Sequence, residues 1–169
     1  MQKTFVISDH HFGHKQIIDF ESRPFHDVDE MTTKMIERWN AVVGKEDKVF
    51  HLGDFSFLNR EKTRDIVQQL YGSKFLIMGN HDRGRTKKWW LDVGFDEVSE
   101  YPLVYGGFYF LSHEPMYMNK NMPYVNIHGH IHGQKYEGNH YINVSVELWD
   151  YTPVSFEEIK RMTIPNEEQ

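Results

Sequence analysis

The stretch His128-Gly129-His130-Ile131-His132 puts three imidazoles within five residues around a glycine, which is poor core material and good metal-ligand material. Four earlier motifs offer matching chemistry: Asp9-His10-His11, Gly53-Asp54, Gly79-Asn80-His81-Asp82 and Ser112-His113. Each follows a run of β-branched or aromatic residues. Asp9 and His11 are two apart, so on an extended segment both project to the same side. Asp54 can bridge two ions through its carboxylate, Asn80 offers an amide oxygen, and His113, His130 and His132 offer ring nitrogens. Mixed nitrogen and oxygen ligation suits Mn, with Fe, Zn or Ni next, better than Ca or Mg. Two such ions close together can share a water and lower its pKa.

The elements that must carry these motifs can be read in order. Residues 4–7, 48–52 and 75–78 form short apolar runs that end at Asp9, Gly53 and Gly79, and they read as buried strands. Between them lie helical patterns. A short one covers residues 15–20. A longer one starts with Asp27 as N-cap and Glu30 completing a capping box. It carries Val28, Met31, Met35, Trp39 and Val42 on one face and stops at Gly44. Asn59 caps a third helix with Ile66, Val67 and Leu70 inside and Gly72 as its stop. Alternation of this kind predicts a parallel sheet with crossover helices, whose ligand-binding loops lie beyond the carboxyl ends of the strands. The second half adds a helix over 86–93 and strands over 97–105 and 108–112, joined by Gly106-Gly107. Further strands cover 125–127 and 141–144, and a final helix is boxed by Ser155 and Glu158. One α/β domain over 1–169 is expected, with residues 163–169 as a frayed tail.

Composition narrows the function classes. The net charge of −6, with no long basic block, argues against sequence-independent wrapping of nucleic acid. A nucleotide or nucleic-acid phosphodiester remains an acceptable substrate, because bound cations would make the site positive. Cysteine is absent, which excludes thiolate ligation and cysteine nucleophiles. No apolar run approaches a membrane span and no secretory signal is visible, so a cytoplasmic protein without a membrane partner is expected.

In this order and at strand ends, the five motifs resemble those of the calcineurin-like metallophosphoesterase superfamily, and the match runs from Asp9 to His132. The resemblance implies a four-layer α/β/β/α sandwich with two central mixed sheets. It also implies two divalent metal ions and hydrolysis of phosphodiester or phosphomonoester bonds by a metal-bridging hydroxide. It assigns Asp9, His11, Asp54 and His132 to one ion, and Asp54, Asn80, His113 and His130 to the other. His81 falls where the family places a histidine that contacts phosphate or assists the leaving group, making it the candidate general acid. One departure is evident. Many relatives continue the Gly-Asp motif with a second Asp that supports this histidine, whereas here the chain runs Phe55-Ser56-Phe57-Leu58. The alternative function is a metal-binding interaction module of weak activity. Such a module would be expected to lack ligands, and here every position is filled.

Other residues carry blander readings. His10 reads as a spacer, His51 as a hydrogen-bonded core histidine, and His26 and His140 as surface. His128 reads as orienting the turn or supporting a ligand from behind. His14 and Arg83 are candidates for contacting a phosphorylated small molecule or nucleotide, each beside a plain structural reading. Glu137 and His140 have di-iron spacing, but Gly138-Asn139 between them reads as a turn.

Overall fold

A computed structural model describes residues 1–163. Along them run β1 (Thr4–Ile7), α1 (Ile17–Phe20), α2 (Val28–Val42), β2 (Lys48–His51), α3 (Arg60–Gln69), β3 (Ser73–Ile77) and α4 (Lys87–Asp92). These are followed by β4 (Glu97–Ser99), β5 (Leu103–Tyr105), β6 (Tyr109–Leu111), β7 (Val125–His128), β8 (Tyr141–Asn143), β9 (Val154–Ser155) and α5 (Phe156–Thr163). Two mixed sheets result, ordered β4-β3-β2-β1-β9 and β5-β6-β7-β8, as the α/β sandwich reading expects. In the first only β9 runs antiparallel to its neighbour, and in the second only β5 does.

Strand alternation divides the core into two. Phe5, Ile7, Val49 and Leu76 point outward to Met31, Met35, Trp39, Ile66 and Trp90 of the helices. Val6, Phe50, Leu52 and Ile77 point inward, where they meet Leu111, Ile127 and Ile142 of the second sheet. Phe156 and Ile159 of α5 join this inter-sheet cluster. Both sheets therefore end their parallel strands at one edge, and all five polar motifs leave from that edge.

Several boundaries differ from the sequence reading. The expected strand over 97–105 is two strands in different sheets, interrupted at Pro102, which has no N–H to donate to a ladder. Asp27 caps α2 through the Asp29 and Glu30 amides, but Glu30 accepts from the His26 N–H and not from Asp27, so the box closes one residue early. The helix ends at Val42, before Gly44, and Val42 is 40% exposed, off the inner face. The first helix is shorter than 15–20, and β9 and a 3-10 turn at Val146–Leu148 join the list of elements. Of the expected tail, Thr163 closes α5, and residues 164–169 lie outside the described residues. No described helix is long and apolar enough to cross a membrane.

Candidate metal centre

The five loops interlock through their backbones before any side chain is considered. Asp9 N–H donates to the Gly53 carbonyl, His11 N–H to that of Asp54, and Gly129 N–H to that of His113. Two glycines permit the approach. A Cβ at Gly129 would overlap Ser8 Oγ and Asp9 Oδ2, and one at Gly79 would overlap Asp54 Oδ1. Asp9, His11, Asp54, His130 and His132 all have positive φ, between 48° and 72°. The extended geometry assumed for Asp9 and His11 is therefore wrong. The two side chains converge because the backbone turns left-handed at both. Asp tolerates this region comparatively well, and such strain, costing roughly 1–3 kcal/mol per residue, clusters at functional sites.

Among the described residues three groups of possible ligand atoms result, one of them Glu21, His132 and Glu147, and the other two are built from expected ligands. Asp9, His11 and His132 present atoms within 4.8 Å of one another, and so do Asp54, His113 and His130. Asp54 Oδ2 lies 3.4 Å from His11 Nε2 and 3.4 Å from His113 Nε2, so one oxygen faces both groups. In the second group His113 Nε2 is 2.9 Å from Asn80 Oδ1 and 3.2 Å from His130 Nδ1, and Asn80 Oδ1 is 3.1 Å from His130 Nδ1. Ligand bonds of about 2.0–2.2 Å place neighbouring donor atoms roughly 3.0–3.5 Å apart, which this triangle matches.

The carboxylates divide their oxygens. Asp9 Oδ2 accepts from His130 N–H and Ser145 Oγ–H, and Asp54 Oδ1 accepts from His81 N–H. Asp9 Oδ1 and His11 Nε2, by contrast, are buried with no hydrogen-bond partner. Orphaned donor atoms of this kind, facing one another, fit a divalent cation. Burial alone would raise Asp9 and Asp54, but the surrounding histidines hold both carboxyls well below the usual range. Burial disfavours a charged His113, yet Asp54 and Asp9 prevail and push it up to about 9. The same carboxylates raise His11 against its burial.

Supporting residues that the sequence did not reveal lie around these groups. Glu147 Oε1 sits 3.1 Å from His132 Nδ1, which fixes that ring and leaves Nε2 for the cluster. Arg23, wholly buried, donates to Glu147 through Nε and Nη2 and to the carbonyls of His10 and Asp9 through Nη1 and Nη2. One guanidinium thus ties the first metal loop to the carboxylate behind His132. Arg23→Met should cost about 3–5 kcal/mol, because Glu147 would keep only His132 as a partner in the interior and the Asp9 and His10 carbonyls would lose their donor. Urea unfolding of metal-free protein measures it, and a loss below about 1 kcal/mol would contradict this role.

Asp82 is also buried, accepting from the N–H groups of Asp54, Phe55 and Gly79. Burial and then the Asp54 charge push it up to about 6. Through these bonds it braces two metal loops. His81 itself has Nε2 3.9 Å from Asp54 Oδ2, and its ring lies 5.1 Å from that of Phe57. Phe57 thus stands near this histidine.

The remaining candidates fall outside the ligand groups. Arg83 forms both arms of an ion pair with Glu114, at 2.9 and 3.0 Å, so a phosphate would have to compete with that carboxylate. His14 stacks on Phe57, 5.6 Å from the His11 ring. His128 is buried with Nδ1 on the Gly129 carbonyl, so it orients the turn. His10 is not a mere spacer. It is fully buried and hydrogen-bonded to the core histidine His51 at 2.8 Å. His51 Nδ1 accepts from Gly53 N–H, so its Nε2 carries the proton given to His10. Burial holds His51 down to about 3 and His10 well below its ordinary value, and both rings are neutral. His26 is exposed, while His140 is half-buried with Nδ1 at the Tyr124 carbonyl.

Several known proteins resemble this chain. An uncharacterized protein of Methanocaldococcus jannaschii is 35% identical, over 96% of this chain and 92% of the relative. The Gene 66 protein of Mycobacterium phage L5 is 36% identical over 48% of this chain and 41% of its own length. A crystal structure of a protein of unknown function from Aquifex aeolicus superposes with a TM-score of 0.75 at 28% identity, covering 96% of this chain and 100% of that one. A family model described as calcineurin-like phosphoesterase matches residues 3–169. With that match, the chain belongs to the calcineurin-like phosphoesterase family, and metal-dependent phosphoester hydrolysis is the chemistry its membership supports.

Proposed function

We propose that the protein hydrolyses phosphodiesters or small phosphomonoesters, with two divalent ions, Mn foremost, held at the two ligand groups. Asp9, His11, Asp54 and His132 would hold one ion, and Asp54, Asn80, His113 and His130 the other. The observation that carries this reading is the single Asp54 oxygen placed 3.4 Å from a histidine of each group. Bound there, two ions supply a water of lowered pKa and a clamp on phosphate oxygens. No protein nucleophile is needed, and His81, half-exposed beside the cluster, is positioned to donate a proton to the departing oxygen. The ligand groups lie on loops at the sheet edge, and among the described residues no second domain packs over them. That favours a small or extended substrate over a folded protein.

Adding Mn to metal-free protein should switch on cleavage of bis-p-nitrophenyl phosphate. The same titration should release protons at neutral pH. His113, pushed up to about 9, carries a proton that a metal must displace, and His11 and His132 are shifted in the same direction. Apparent affinity should therefore climb as pH rises toward about 9, which calorimetry in buffers of different ionisation enthalpy would detect. Stoichiometric binding without turnover, for any divalent metal, would replace the enzyme with a metal-binding module.

A further inference from the structure

Two phenylalanines stand in water beside the ligand groups, Phe57 at 39% and Phe20 at 71% exposure. Neither belongs to either core cluster. The Phe57 ring lies 5.3 Å from that of His11 at 20° and 4.5 Å from that of His14 at 18°, so three rings lie close to parallel. It also lies 5.1 Å from His81, and Phe20 meets His14 edge-on at 6.3 Å. Phe57 is not a loose tip. Its N–H donates to the Phe12 carbonyl at 2.9 Å, and Phe12 N–H donates to that of Phe55 at 2.9 Å, so the second metal loop is laced to the first.

We propose that Phe57, with His14 and Phe20 beside it, is a stacking subsite for the base of a nucleoside phosphoester whose phosphate sits at the metal groups. This rests on the phosphoesterase reading for the position of the phosphate. The shelf begins at the ring of a metal ligand and passes the candidate acid, so a ring lying on it belongs to the departing alcohol. Flat, near-parallel rings select a planar group over an aliphatic one, and base-on-aromatic stacking tolerates any base. Charge selects a short substrate over a long polymer. The net charge is −6, and Arg83, the basic side chain foreseen at the rim, is already paired with Glu114.

The test is equilibrium binding to the Mn-loaded protein of two anions whose P–C bonds resist hydrolysis. One is the 5′-methylenephosphonate analogue of adenosine monophosphate, and the other is methylphosphonate. The nucleoside compound should bind about 10–100-fold more tightly. Phe57→Leu should remove most of that advantage, Phe57→Trp should keep it, and Phe20→Ala should reduce it by a smaller factor. Methylphosphonate affinity and metal content should stay within about twofold throughout. Equal affinity of the wild-type protein for both anions would overturn the subsite alone and leave the phosphoesterase reading intact. A Phe57→Leu protein that weakens both anions equally would also overturn it, and would make Phe57 a support for His11. Failure of the metal-loaded protein to bind either anion would overturn both the subsite and the reading beneath it.

Discussion

Asp54→Asn should reduce bound metal from two ions to at most one and lower turnover by at least about 10³-fold. The substitution is nearly isosteric, so its effect is chemical. Asp54 Oδ1 is committed to the His81 N–H at 3.0 Å, and Asn can keep that bond with its carbonyl oxygen. Its amide nitrogen must then occupy the Oδ2 position, 3.4 Å from both His11 Nε2 and His113 Nε2. A donor replaces the shared acceptor, and a negative charge disappears from between two cations. Flipping the amide does not help, because it sets the NH₂ against the His81 N–H. The histidines lose their anion as well, so His113 should titrate closer to its ordinary value. His130→Ala tests the second group separately and should remove one ion while leaving the Asp9, His11 and His132 group in place. Metal analysis of dialysed protein and initial rates on bis-p-nitrophenyl phosphate decide the matter. An Asp54→Asn protein with two ions and wild-type turnover would dismantle the bridging assignment.

The ligand groups were legible in the sequence because each ligand lies one to five residues beyond an apolar run, and parallel strands send such residues to one edge. Their backbone was not legible. Period-two reasoning placed Asp9 and His11 on one side of an extended strand, whereas both are left-handed, a state that nothing in their neighbours announces. His10, between them, lies in the Phe12, Trp39 and His51 surroundings. Pro102 gave fair warning that residues 97–105 were two strands. Arg23 and Glu147 gave none. They are 124 residues apart, and only the closed fold shows that one neutralises the other behind His132. Asp82 was visible beside His81, but its three N–H donors come from two loops, so its bracing role needed coordinates.

His81→Ala should keep both ions and lose about 10²–10⁴-fold in turnover, the range expected when a positioned acid is removed. Retention of metal follows from the geometry. The link from His81 to Asp54 Oδ1 is made by its backbone N–H, which Ala preserves, while the imidazole reaches no closer than 3.9 Å to Oδ2. The size of the loss should depend on the leaving group, and this distinguishes an acid from a phosphate contact. p-Nitrophenolate departs well without a proton, so the variant should retain much of its activity on bis-p-nitrophenyl phosphate. An alkoxide departs poorly, so a dinucleoside monophosphate should show the full loss. A residue that only bound the phosphate would lower both rates by the same factor. Phe57 sharpens the comparison, because its ring packs against His81 without supplying a charge. Phe57→Leu should lower nucleoside-substrate turnover without reproducing the leaving-group dependence of His81→Ala. Loss of metal from His81→Ala would instead make the imidazole a ligand, and the proton would have to come from another group.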